Sequence, residues 1–175
     1  MTIYWGDGTS TASNPSGGSI QQVQTAVYTG TTSYSIGESD PNKGWPWFDV
    51  GALSVNITPS STSNKILVSV YMCGDTSSSG SAIRMRINRS GTGIQNSNDS
   101  WRPGAMAMTT NGHEHKVLSI MNYVDSPSST SQRNYKVQIC VPGPPTTWYL
   151  NRTNNYTNSL AHARTYSWIT VMETT

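Results

Sequence analysis

The segment Gly112-His113-Glu114-His115 holds the residues of this chain best suited to metal chemistry. In an extended backbone alternate side chains share a face, so His113 and His115 could hold one ion between them. Two imidazoles fall short of the three or four convergent ligands of a zinc-type site, and the simpler reading is an exposed polar loop. Hydrolysis is less well supplied. Only nine acidic residues occur, and a glycosidase needs a carboxylate pair about 5–10 Å apart. Asp99-Ser100-Trp101 sets one carboxylate beside an aromatic, but the acidic residues form no paired constellation with aromatic flanks. No Gly-x-Ser-x-Gly, P-loop or Gly-x-Gly-x-x-Gly motif is present, so neither a catalytic residue nor a cofactor is expected. Sugar binding without catalysis is more open. Trp45, Trp47, Trp101 and Trp148 sit in or beside predicted loops, where an exposed ring can stack on a sugar face. The competing role for each is a buried anchor, since Trp is highly buried on average.

The elements that would position these residues are strands. Pro59-Ser60-Ser61-Thr62-Ser63 recurs as Pro127-Ser128-Ser129-Thr130-Ser131, each copy between apolar-alternating runs. Leu53 to Ile57 and Lys65 to Met72 frame the first, and Leu118 to Val124 and Tyr135 to Val141 frame the second. Strict alternation puts successive side chains on opposite faces and predicts half-buried strands. The cassettes are connections, because Pro lacks an N–H and Ser and Thr bond their own backbone. Further strands are expected over residues 20–29, 82–89, 115–124, 147–152 and 164–172. Over residues 82–89, Ile83, Met85 and Ile87 face one way and Arg84 and Arg86 the other. Residues 30–48 read as turn-rich, and Gly91 to Gly112 as a loop. Eight or nine short strands without helical periodicity predict an all-β fold, an antiparallel two-sheet sandwich of jelly-roll or Greek-key type. Residues 1–19 read as an N-terminal arm or linker and 20–175 as the sandwich domain.

Composition narrows the partners. Charged residues make up 11% of the 175, while 26 Ser, 22 Thr and 14 Asn supply the polarity, which suits exposed strands and turns. Nine Tyr and six Trp against one Phe favour interfaces and partly wet surfaces. The net charge is +2, and the cations are scattered apart from Arg84, Arg86 and Arg89, so nucleic acid is not an expected partner. No apolar run approaches a membrane span, and Met1 to Ser19 lacks the apolar core of a signal peptide. Cys73 and Cys140 fall in or at the end of predicted strands and read as buried free thiols. Asn-x-Ser/Thr triplets at Asn56, Asn88, Asn98, Asn151 and Asn155 are expected by chance in such a composition.

A family resemblance follows from the ordered motifs. Ile57-Thr58-Pro59-Ser60-Ser61 leads into Lys65-Ile66-Leu67-Val68, and Asp125-Ser126-Pro127 leads into Tyr135-Lys136-Val137-Gln138. Tyr149-Leu150-Asn151-Arg152 and Ile169-Thr170-Val171-Met172-Glu173 follow in order. Across residues 53–173 the set resembles a β-sandwich module of bacteriophage virion proteins, cyanophage-like and similar to tumour-necrosis-factor-like jelly rolls. The resemblance implies a non-enzymatic virion component assembled in the host cytoplasm, a homotrimeric tail-fibre or appendage module attached to other virion proteins through its arm. It leaves two alternatives, a capsid decoration protein and a carbohydrate-binding module, with a host surface glycan as an expected partner. A trimer would also bring six imidazoles of His113 and His115 to its axis. The Gly91–Gly112 loop and the Trp45–Trp47 segment lie outside the resemblance. Asp125 is expected to pin the exit from its strand by accepting backbone N–H bonds.

Overall fold

Alternation of apolar and polar side chains becomes alternation of core and surface along nearly every strand. The computed structural model of the chain describes residues 3–4, 10–11, 19–37, 46–78, 81–95, 106–108, 115–155 and 164–175. Among them are thirteen strands: β1 (Ile3–Tyr4), β2 (Ser10–Thr11), β3 (Ile20–Tyr28), β4 (Thr32–Ile36), β5 (Phe48–Ile57), β6 (Lys65–Thr76), β7 (Ile83–Arg89), β8 (Thr92–Gly93), β9 (Met106–Met108), β10 (Lys116–Asp125), β11 (Arg133–Cys140), β12 (Thr146–Leu150) and β13 (Ser167–Thr174). Nine have five residues or more.

β1 and β2 pair with each other, and the rest form two antiparallel sheets. The first runs β3-β13-β6 with β10 on the far edge of β6, and β12 and β4 continue from the distal part of β6. The second runs β5-β11-β7, with β8 and β9 beside β7. Counting β3, β5, β6, β7, β9, β10, β11 and β13 as first to eighth, the sheets read 1-8-3-6 and 2-7-4-5. That is the order of a jelly roll.

The core lies between the sheets, where Ile66, Val68, Val70 and Met72 of β6 meet Ile83, Met85 and Ile87 of β7 and Val137 and Ile139 of β11, all sealed from solvent. Each such aliphatic side chain stabilises the fold by roughly 1.5–3 kcal/mol. Arg84 and Arg86 lie on the opposite, half-buried side of β7. Both cysteines are buried free thiols. Burial pushes the Cys140 thiol up to about 12 and raises that of Cys73 as well.

Both cassettes cross between the sheets at the same end of the sandwich, since Ile66 of β6 pairs with Asp125 of β10. In each copy the proline is buried and its four successors lie at or near the surface. Each also closes the same hydroxyl turn: Ser63 N–H donates to Ser61 Oγ at 3.3 Å, and Ser131 N–H to Ser129 Oγ at 3.1 Å. The same residues form this bond twice because it is local, although only the second copy holds its first serine, Ser128, at positive φ (+47°).

Four expectations are corrected. The stretch read as turns contains β4, where Tyr34 and Ile36 turn inward and Ser33 and Ser35 outward. β5 starts at Phe48 rather than Leu53, and the Gly91–Gly112 loop contains β8 and β9. Asp125 is held by side chains: Arg89 Nη1 donates to its two oxygens at 2.7 and 2.8 Å, and the Tyr135 hydroxyl donates at 2.6 Å.

Candidate functional site

The two outer faces of the sandwich differ in kind. On the second sheet the outward residues of β5, β11 and β7 close on one another. Arg86 Nε and Asn88 Nδ2 donate to Gln138 Oε1 at 2.8 and 3.3 Å, and Gln138 Nε2 donates to Asp49 Oδ1 at 2.7 Å. Lys136 Nζ pairs with the other Asp49 oxygen. Burial alone would raise Asp49, but the bonds from Lys136 and Gln138 and the charges of Lys136 and Arg86 hold it below the ordinary value. Asn134 Nδ2 bridges Ser54 and Asn56 at 2.9 and 2.8 Å. Internal polar bonds tie the three strands together across this face.

The outer face of the first sheet is arranged in cross-strand rows. Val23 of β3, Met172 of β13, Leu67 of β6 and Val124 of β10 stand in register. The next row is polar: the Thr25 and Thr170 hydroxyls lie 2.9 Å apart, and Asn122 N–H donates to Ser69 Oγ at 3.0 Å. The third row is Val27, Trp168, Tyr71 and Ser119. No side chain in these rows is charged, and Val23, Val27, Val124 and the neighbouring Met121 are 49–66% exposed. The register step between Ile120 and Tyr123 explains part of this. Asn122 adopts φ +52°, a left-handed conformation that Asn tolerates better than most residues. Met121 and Asn122 together oppose Ser69, a β-bulge that leaves Met121 pointing outward.

Beside the third row the aromatic side chains form a cleft of about 250 Å³ lined by Tyr71, Arg164, Thr165, Tyr166 and Trp168. The Tyr71 and Trp168 rings are near-parallel, 17° apart with centroids at 6.4 Å, and Tyr166 tilts 41° to Tyr71 at 6.3 Å. The cleft lies toward the end where β13 begins, opposite the cassettes and the start of β3.

The residues singled out from the sequence are not brought together here. Trp148 is fully buried, which removes it as a sugar platform. Its indole occupies the space that a side chain at Gly74 would need, 2.5 Å from an ideal Cβ. Trp47 is half-buried with the Arg86 guanidinium 4.2 Å over its ring, so one face is covered. Trp45, Trp101 and His113 lie outside the described residues. His115 lies with Nδ1 3.4 Å from Cys73 Sγ, and no group of three metal-ligating side chains occurs among the described residues. Burial keeps the Cys73 thiol protonated, so this pair is a hydrogen-bonded contact and not an activated nucleophile. Asn88 and Asn151, two of the five triplet asparagines, are buried.

Sequence reasoning missed the cleft and a buried ion pair. Tyr71 is out of phase with Val70 and Met72, and Trp168 with Ile169 and Val171, which was the available sign that both face outward. Lys116 is in phase with Leu118 and Ile120 and points inward, its Nζ 2.7 Å from Asp75 Oδ1, with both side chains sealed from solvent.

Strand order and face character define a jelly-roll domain, an architecture shared by viral capsid and lectin domains. No protein-family model matches the chain, and no curated protein matches it. Among solved structures it is similar to one of infectious bursal disease virus, Gt strain, at TM-score 0.50 and 16% identity over 87% of this chain and 41% of that one. The T13 particle of the same virus gives 0.45 at 15% identity, over 87% and 38%. Its VP2 subviral particle gives 0.39 at 12%, over 95% and 43%. The chain spans less than half the length of the chains it matches, and the first likeness concerns the fold alone.

Proposed function

We infer that this chain is a non-enzymatic structural module of a virus particle, a homotrimeric fibre or appendage module of a bacteriophage virion. The contrast between the two outer faces carries the reading. One face bonds to itself, while the other presents uncharged rows with exposed Val23, Val27, Val124 and Met121. Exposed apolar side chains concentrated on one face mark an association surface. With no charge in the rows, copies of the chain meet there without like-charge repulsion. The jelly-roll order and the likeness to a virus structure support a place in a virion, and the ordered sequence motifs support a bacteriophage one. Residues 1–19 serve as the arm that attaches the module to other virion proteins. Carbohydrate binding is favoured by a separate observation, the aromatic cleft at the opposite end.

Light scattering on the purified chain tests the association. A trimer that Val23→Lys or Val124→Lys dissociates is expected, and a monomeric wild type would defeat the reading. Imaging of particles that carry the tagged chain then separates its versions. Density on a tail or appendage, lost on deletion of residues 1–19, supports the fibre. Density on the head replaces it with a capsid decoration protein.

A further inference from the structure

We propose that β3 pairs antiparallel with β3 of a second copy of this chain, across a two-fold axis that sets Thr25 opposite Thr25. An edge strand presents unpaired backbone N–H and C=O groups, and proteins normally protect it with charge, proline, a bulge or shortness. The edges of the two sheets differ in this respect. β4 has five residues. β10 is interrupted by the bulge at Met121 and Asn122, and β5 carries Asp49 and a register step against β11. β3 is protected in none of these ways. It is nine residues long, holds neither a charge nor a proline, and pairs regularly with β13 from Gln22 to Tyr28. Among the described residues no strand lies beyond it. Val23 and Val27 on it are 49% and 58% exposed.

The order of its side chains names the occupant. Along the outer face Val23, Thr25 and Val27 read the same in both directions. Two antiparallel copies centred on Thr25 therefore set Val23 opposite Val27 and threonine opposite threonine. On the inward side Gln24 meets Ala26. β-Branched and Thr–Thr pairs are favourable cross-strand neighbours, and no like charges meet. Centring the pair on Gln24 or Ala26 instead sets valine against threonine or glutamine, so the register is specified. The pairing also joins the cross-strand rows. The row of Val124, Leu67, Met172 and Val23 continues into Val27, Trp168 and Tyr71 of the second copy. An unrelated extended peptide could add to the same edge, but the palindrome matches this chain itself at successive outward positions. The contact lies at the edge of the sheet and not on its outer face, so it adds to the face association proposed above and stands without it.

The test uses the full chain with Val124→Lys, because Val124 lies on β10 and its lysine opposes face association without touching β3. Directly opposed Cα atoms of antiparallel strands lie about 4.5–5.5 Å apart, within reach of a disulfide. Thr25→Cys in this background should therefore give a covalent dimer under mild oxidation. It should form roughly tenfold faster or more than with Met121→Cys, an exposed cysteine away from β3. Cys73 and Cys140 are buried and leave the readout clean. Sedimentation equilibrium should show a dimer that Thr25→Lys converts to monomer, and mixing Thr25→Lys with Thr25→Glu should restore it. In the otherwise unaltered chain, a mixture of Gln24→Cys and Ala26→Cys should cross-link more than either alone. These positions pair with Val171 and Ile169 on the inward side, so this arm decides the question even where Val124→Lys fails to fold. A failed face association leaves every one of these cross-links in place, so the two readings fall separately. The proposal is overturned if Thr25→Cys cross-links no faster than Met121→Cys, or if the opposite charges fail to restore the dimer. It is also overturned if cross-linking requires deletion of residues 1–19, since the chain's own arm then occupies the edge.

Discussion

Replacing Glu173 with glutamine asks how the first cassette is locked to the last strand. The carboxylate is fully buried. Ser60 N–H, Ser60 Oγ and Asn64 Nδ2 donate to Oε1 at 2.6, 2.8 and 2.7 Å, and Gln22 Nε2 donates to Oε2 at 2.6 Å. Burial pushes this carboxyl up, but the hydrogen bonds outweigh it and bring it from 4.5 to about 2. Glutamine keeps the shape and one acceptor oxygen, and its NH₂ then faces a donor. At about 1.36 kcal/mol per pKa unit the depression has a ceiling near ~3.4 kcal/mol. Ser60 is exposed and Gln22 half-exposed, so solvent screening brings the expected figure to about 2 kcal/mol. The folded-state value lies below the unfolded one, so this stabilisation is fully present above about pH 5 and is lost as pH falls toward ~2. Urea denaturation of both proteins at pH 7, 4 and 2.5 measures it. At pH 7 Glu173→Gln should be less stable by about 2 kcal/mol, or ~4–8 °C in Tm, and the gap should narrow sharply at pH 2.5. Parallel pH dependences with a constant gap, or no gap at neutral pH, would refute the reasoning.

Three further outcomes are expected. Lys116→Met removes the ammonium beside the sealed Asp75 carboxylate and should cost roughly 3–5 kcal/mol by chemical denaturation, because a buried charge loses its partner. Gly74→Ala places a methyl 2.2 Å from the Tyr149 carbonyl oxygen and 2.5 Å from the Trp148 ring; backbone and core must both shift, and a loss of about 3 kcal/mol or more is expected in thermal unfolding. Cys73 and Cys140 are buried with raised pKa values, so at pH 8 an aromatic disulfide reagent should label neither until denaturant opens the fold, when both react.

What the sequence alone determined about this protein is what depends on near neighbours. Alternation at Lys65–Tyr71 and Ile83–Arg89 specifies strands with one apolar face, because successive side chains leave opposite sides of an extended backbone. Pro-Ser-Ser-Thr-Ser specifies a connection twice, since the same local hydroxyl turn forms wherever those residues occur. Where alternation was weak, as in Thr32–Ile36, the strand was hidden until β12 paired with it. Tertiary structure alone decided the rest. Tyr71 meets Trp168 because β6 and β13 are neighbours in the jelly-roll order, a register that no short stretch encodes. Lys116 can be buried because Asp75 arrives beside it from β6. Trp148, an apparent loop aromatic, became a core residue because Gly74 on the paired strand leaves room for its indole. Each of these outcomes depends on which surface is covered, and coverage is a property of strands brought together from distant parts of the chain.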